Sequence, residues 1–316
     1  MPGPGGQLKI EDYALLGDTR TAALVSREGS VDWMCVPRFD SAACFAALLG
    51  GPQHGRFLLT VRGRPRGVER RYRDGTLVLE TTYETDEGVV VVIDAMPPGS
   101  ALPELVRLVV GRSGRVPMWV ELTPRFDYGR SPAWVERRPG EVIGVCGPDT
   151  LRLSTPIATR DEDGAERAEF VVPEGHTVPF TLTWFPSHAP EPPHLDPIHQ
   201  VSDVERWWRA WSNRCSHQGD WREPVRRSLI TLKALTYAPT GGSSPRPRPP
   251  SPRHLEACGT GTTATAGCAT PCSRSRRSTR GATRRRRSPG GNGCCALWRA
   301  SRRRCRSSTA PPVSGD

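Results

Sequence analysis

IEDYALLGDTRTAALVSREGSVDWMCVPRFDSAACFAALLG, residues 10–50, is organised as a β-hairpin, a loop and a short apolar segment. Residues 21–26 are expected to form a small apolar strand; Arg27, Glu28, Gly29 and Ser30 supply a turn, and residues 31–36 return. Pro37 has no N–H to donate and ends the ladder. Residues 38–41 (Arg-Phe-Asp-Ser) are expected as an exposed loop. Residues 42–49 read as a helix closed by Gly50 and Gly51.

Outward from this hairpin the signal stays β as far as residue 185. Short β-rich runs occupy residues 57–61, 77–83, 89–95, 105–110, 118–124, 142–145, 151–154, 170–172 and 180–185. Turn clusters such as Arg73-Asp74-Gly75, Asp86-Glu87-Gly88 and Arg112-Ser113-Gly114 divide them. Many short strands separated by turns indicate an antiparallel sandwich and not a parallel βαβ sheet. Residues 188–197, HAPEPPHLDP, form a Pro-rich linker.

Two helices are expected next. Over residues 201–211, Val204, Trp207, Trp208 and Trp211 form a stripe at helical spacing. Packing between domains is the ordinary reading of those tryptophans; a sugar-binding platform is the other. Over residues 221–237, Val225, Leu229, Leu232 and Leu235 recur on one face, and Pro224 is tolerated in a first turn.

The runs GDTRTAALVSREGSVDW, PRFDS and FAALLG, with REPVRRSLITLKALTYAPTGG further on, resemble the opening of bacterial family 15 glycoside hydrolases, the glucoamylase and trehalase-like proteins. The resemblance implies an N-terminal β-sandwich leading into an (α/α)6 barrel that carries the chemistry. It also implies a division into a sandwich over residues 1–190, a linker and interdomain helix over 191–220, and the first barrel helix over 221–242.

Beyond Gly242 the resemblance stops. Residues 243–316 hold sixteen Arg, no Lys, two acids (Glu256 and Asp316) and six of the ten cysteines; their net +14 leaves residues 1–242 at −3 of the overall +11. The basic character therefore belongs to this segment alone. With one aromatic residue, Trp298, and no Ile, Phe or Tyr, it cannot bury a core and is expected to be disordered.

The family continues at this point into a segment close to GGVRNWDYRYCWLRDA. Reading GC-rich codons for NWDYRYCWLRDA from their second base yields TGTTATAGCATP, which is residues 260–271 of this chain. Twelve consecutive matches are not expected by chance, so residues from about 243 onward read as an out-of-frame translation. Arginine runs at 284–287 and 302–304, and cysteines such as Cys268, Cys272, Cys294 and Cys295, are then by-products of a shifted frame. They are not a nucleic-acid tail or metal ligands. The Arg-Asp pair of WLRDA, which in the family holds the terminal glucose, is replaced by Ala269 and Thr270.

The resemblance implies inverting hydrolysis of an α-glucosidic bond, trehalose or a short α-glucan, with two glutamates on barrel loops. Inversion requires one carboxylic acid to protonate the leaving oxygen and one carboxylate to activate water, about 6.5–9.5 Å apart. Neither glutamate is expected in this chain, which is read as a truncated, inactive form. Glu11, Asp12, Asp18, Asp32, Asp40 and Asp127 are more readily turn or cap acids than replacements. The best remaining functional loop holds Trp33, Arg38, Phe39 and Asp40: two flat apolar faces and two planar hydrogen-bonding groups that suit either sugar contact or bracing of the barrel.

Trp207, Trp208, Trp211, Val225, Leu229 and Leu232 are expected to face the barrel, and the sequence offers them no other cover. A non-catalytic carbohydrate-binding or docking module is the rival reading. No cofactor or metal is expected and no specific nucleic-acid partner. No apolar run of membrane-spanning length or secretory signal is visible, and the scattered Cys35, Cys44, Cys146 and Cys215 fit free thiols in a cytoplasmic protein.

Overall fold

Alternation of apolar and polar residues along the first 190 positions builds two antiparallel sheets around one interior. A computed structural model describes residues 8–243, and the disordered, out-of-frame segment expected from about residue 243 onward lies outside them apart from Ser243. The first sheet begins with a meander: β1 (Tyr13–Gly17), β2 (Ala22–Ser26) and β3 (Ser30–Cys35). It continues through β4 (Ala43–Phe45), which pairs with β3, and β5 (Arg56–Val61). The second sheet holds β6 (Gly67–Tyr72), β7 (Leu79–Glu84) and β8 (Gly88–Ala95).

One long strand, β9 (Glu104–Thr123), serves both sheets. Its first half pairs with β8 and its second half with β5. A turn expected at Arg112-Ser113-Gly114 therefore does not break the chain, and the two runs on either side of it are one strand. After the short turn α1 (Phe126–Gly129) and β10 (Ser131–Pro132) come β11 (Trp134–Arg138), β12 (Glu141–Cys146) and β13 (Asp149–Ser154), which extend the second sheet. β14 (Arg160–Glu162) and β15 (Ala165–Pro173) close the first sheet against β9. β16 (Thr177–Pro186) then fills the second sheet between β9 and β13.

The stretch read as a helix over residues 42–49 is instead strand β4 followed by a 3-10 turn, Ala47–Leu49. A short apolar run has no periodicity of its own to choose between the two. The free edge of β3 decides it here: Phe45 pairs with Met34 and Ala43 with Cys35, which buries all three residues of β4.

Inward-facing residues of both sheets, among them Leu16, Val25, Phe57, Leu59, Val92, Leu105, Val109, Val120 and Phe180, form the main core. A second apolar layer lies on the outer face of the second sheet. It is covered by α2 (Pro197–Ser212) and α3 (Arg222–Ala234). Asp196 caps α2 by accepting the N–H of Ile198 at 2.9 Å, and Pro197 occupies the first turn, where its missing N–H costs nothing. Val201, Val204 and Trp208 then fall on one face and bury against Val91, Ile93, Val106 and Leu108.

A charge stands in the middle of the main core. Arg107 is inward-facing on β9 and 0% exposed. Its Nε donates to Asp94 Oδ1 of β8 at 2.8 Å, and its remaining N–H groups reach across the sandwich to the carbonyls of Phe57 at 2.9 Å and Gly29 at 2.8 Å. The guanidinium lies 4.9 Å from the centroid of the Phe57 ring. Gly29, at φ 85, has no room for a side chain: a Cβ there would meet the Leu59 carbonyl oxygen at 2.3 Å.

Removing one partner of a buried, fully bonded pair leaves the other charged and dry. Arg107→Met is expected to lower unfolding free energy by about 3–5 kcal/mol. Adding Asp94→Asn to that variant should recover part of the loss, measured by urea denaturation of the single and double variants.

Candidate functional site

Strand β3 holds Trp33, the loop that follows it holds Arg38, Phe39 and Asp40, and the structure separates these four residues singled out from the sequence into two kinds. Arg38 and Asp40 are exposed and face each other in a two-bond pair: Arg38 Nε donates to Asp40 Oδ1 at 2.8 Å, and Nη2 donates to Oδ2. The hydrogen bond from Arg38 holds the Asp40 carboxyl below its usual range. The Arg38 guanidinium carbon stands 5.5 Å from the centroid of the Tyr237 ring, just past the end of α3. A planar cation, a carboxylate and an aromatic face are thereby presented side by side at the surface, a combination suited to a polyhydroxylated ligand.

Trp33 and Phe39 do not present faces to solvent, which corrects the expectation placed on them. Trp33 is 1% exposed and packs with Cys35, Ala43, Ala46 and the half-buried Leu24 and Tyr128 on the outer side of the first sheet. Its ring centroid lies 6.1 Å from that of Tyr128. Phe39 is buried too, edge-on to Tyr237 at 6.4 Å. The residues that flank a polar loop residue are often turned inward to anchor it, and residue type alone did not reveal the direction. Burial also pushes the Cys35 thiol up to about 12, so it is a packing group and not a nucleophile.

The tryptophan stripe of α2 needs correcting in the same way. Trp208 is fully buried, with Trp207 at 4.8 Å and Trp211 at 6.3 Å, both edge-on, and all three cover the outer face of the second sheet. The chain thus buries Trp208 by itself and half-covers Trp207 and Trp211. α3 turns Arg226, Ile230 and Ala234 inward. Val225 and Leu229 are half-buried on its flank, while Leu232, 61% exposed, and Trp221, 72% exposed, point away from the sandwich.

Two residues that the sequence did not mark as site residues complete the neighbourhood. Tyr237 lies under Arg38. Asp18, set in the turn between β1 and β2, is 1% exposed, with Oδ1 accepting the N–H groups of Arg20 and Thr21, each at 2.7 Å. Its Oδ2 has no hydrogen-bond partner among the described residues. The signal for Asp18 was present in the run Gly-Asp-Thr-Arg-Thr, since Asp commonly bonds the backbone two and three residues on. Nothing in that run foretold the burial.

A cleft of about 750 Å³ opens at the other end of α3, lined by Arg71, Arg73, Glu80, Arg209 and Arg227 among others. Its arginines are committed to Glu80, Glu205, the Thr76 carbonyl and the Tyr72 ring, so it reads as the seam that fastens the helices to β6 and β7. Among the described residues no group of three or more His, Cys, Asp or Glu is placed to hold a metal ion, and no helix is long and apolar enough to cross a membrane.

Burial raises the Asp18 carboxyl to about 6, against the lowering effect of its two backbone hydrogen bonds and the Arg20 charge. A carboxyl whose folded value exceeds its unfolded one contributes stability that is fully present below its ordinary value of 3.8 and is lost as pH rises through about 6. Between about pH 7 and pH 5, the Tm of the wild type should therefore rise relative to that of Asp18→Asn. Parallel Tm-against-pH curves for the two proteins would refute this assignment.

Comparisons with known proteins bear on the whole sandwich. A family described as "Trehalase-like, N-terminal" matches residues 5–182. A trehalase of Mycolicibacterium smegmatis is 36% identical over 264 residues, covering 73% of this chain and 39% of that protein. A trehalase of Mycobacterium tuberculosis is 35% identical over 260 residues, covering 73% of this chain and 38% of that protein. The chain thus spans well under half the length of these relatives. A solved bacterial glucoamylase in complex with acarbose is 8% identical with a TM-score of 0.45, over 74% of this chain and 42% of that chain, too loose a likeness to argue from.

Proposed function

The chain belongs to the trehalase-like N-terminal family, and from that premise we propose that it is the sandwich part of an inverting α-glucoside hydrolase acting on trehalose or a short α-glucan. The match over residues 5–182, together with trehalase relatives at about a third identity, carries the reading. In the intact protein a helical barrel supplies two glutamates, one as general acid to the leaving oxygen and one as general base to the attacking water. α3 is the first helix of that barrel, and residues 243–316 are its continuation read out of frame. The 316-residue chain itself is catalytically silent.

Within this reading the sandwich contributes Arg38 and Asp40 to the sugar site. They are the exposed members of the loop, already aligned by each other and by Tyr237. Their planar groups can exchange one partner bond for a pair of sugar hydroxyls without moving the backbone. Trp221, Leu229 and Leu232 face the barrel, while Trp207, Trp208 and Trp211 serve the sandwich. The docking-module alternative draws support from the burial of Trp208 by the chain itself; the bare Trp221 and Leu232 weigh against it.

The test is a pair of proteins: the 316-residue chain, and the product of a coding sequence with one base restored near the Gly242 codon. The chain should release no glucose from trehalose or maltose. The restored protein should hydrolyse one of them with β-glucose formed first, since water attacks opposite the leaving group. In it, Arg38→Ala and Asp40→Ala should each raise KM about tenfold, a loss of about 1.4 kcal/mol of binding, with the sandwich still folded. A stop codon soon after the restored base, α-glucose as first product, or unchanged KM in both variants would overturn the corresponding part of the reading.

A further inference from the structure

Four residues between β1 and β2 hold together three segments that are far apart in sequence. Asp18 Oδ1 takes the N–H groups of Arg20 and Thr21, and the Asp18 N–H donates to the Thr21 carbonyl at 3.3 Å. The turn so closed places Thr19, a buried β-branched residue, at φ 72. That is a strained position for such a side chain, and it persists only where the surroundings fix it.

The turn offers its two carbonyls to different partners. The Thr19 carbonyl accepts the N–H of Ala238 at 2.8 Å, on the segment leaving α3. The Arg20 carbonyl accepts the N–H of Phe39 at 3.0 Å, in the centre of the Arg38–Asp40 loop. The Thr21 hydroxyl donates to the Cys35 carbonyl at the end of β3. Gly17 meets α3 closely enough that a Cβ on it would lie 3.3 Å from that of Ala234. Arg38 meets Tyr237 between the second and third segments, one residue from each of the two anchored amides.

We propose that Asp18 is the positioning residue for the Arg38–Asp40 pair: its carboxylate sets the β1–β2 turn, and the turn locks the loop and the α3 exit to each other with Tyr237 under Arg38. This rests on the reading of that pair as a sugar contact and goes beyond it by naming the group that sets its geometry. A simple chain reversal needs neither a buried carboxylate with an unpartnered oxygen nor a threonine in the left-handed region. Both features lower stability, and both are accounted for if the turn exists to hold two carbonyls in fixed directions.

Amide hydrogen exchange on the 316-residue chain tests the lock without any sugar. Asp18→Ala removes the acceptor, so the Phe39 and Ala238 amides should exchange together at least about tenfold faster, while core amides of Val92 and Val109 keep their rates. Asp18→Asn keeps the Oδ1 acceptor and should restore both. Ala238→Pro, at an exposed position, deletes the N–H given to Thr19 and should still accelerate exchange at Phe39. This variant carries the test if Asp18→Ala does not fold. Protected amides at Phe39 and Ala238 in Asp18→Ala, Asp18→Asn exchanging as fast as Asp18→Ala, or a wild-type Phe39 rate in Ala238→Pro would each overturn the proposal. Arg38→Ala, which removes the sugar contact, should leave both amides protected, so the two readings fail separately.

Discussion

An arginine with no access to water sets the spacing and register of the two sheets. Apolar faces alone attract without direction, and sheets that meet only through Val and Leu can slide by small steps at little cost. Arg107 does not permit that. Its fork geometry fixes Asp94 on the neighbouring strand, and its other N–H groups reach two particular carbonyls on the opposite sheet, those of Gly29 and Phe57. A shift of either sheet by a fraction of a residue would leave a buried guanidinium short of partners, which costs more than a few lost methyl contacts.

The consequence travels to the surface. Gly29 is the turn of the β2–β3 hairpin, so the interior pair fixes where that hairpin starts. β3 then fixes where the loop bearing Arg38 and Asp40 leaves the sheet. Phe39 is drawn under Tyr237 and tied to Arg20, which turns its two neighbours outward. Position at the candidate site is therefore inherited from the core through one strand of six residues, not built afresh in a flexible loop.

The hairpin, the sandwich and the two helices were legible because their apolar periods are long enough to distinguish a strand from a helix. What was not legible depended on partners far off in the sequence. Within residues 42–49, Ala43–Phe45 became strand β4 because β3 had an edge to fill, and β9 runs through Arg112-Ser113-Gly114 because each half has its own neighbours. Edge strands β6 and β11 read Val-Glu-Arg-Arg in both cases, and their charges hid them; such charge is what keeps an edge from pairing with another chain. At the site, residue types predicted chemistry but not direction. Arg38 and Asp40 face outward as read, while Trp33, Phe39 and the tryptophans of α2 turned to the chain's own sheets.

α3 joins the sandwich to the segment that carries Tyr237. A helix lying on the surface of a sandwich should be apolar on one side and polar on the other. α3 satisfies the first condition with Ile230 and Ala234 against the sheet. It fails the second, because Trp221 and Leu232 stand exposed on the opposite side and Val225 and Leu229 are only half covered. Covering a large apolar side chain is worth about 1.5–3 kcal/mol, so a face with two bare ones is expensive for a helix that ends a structure and ordinary for one that sits between two layers. The end of this helix also carries Tyr237 to the Arg38–Asp40 pair. An apolar layer laid against the outer face of α3 would therefore border the same loop.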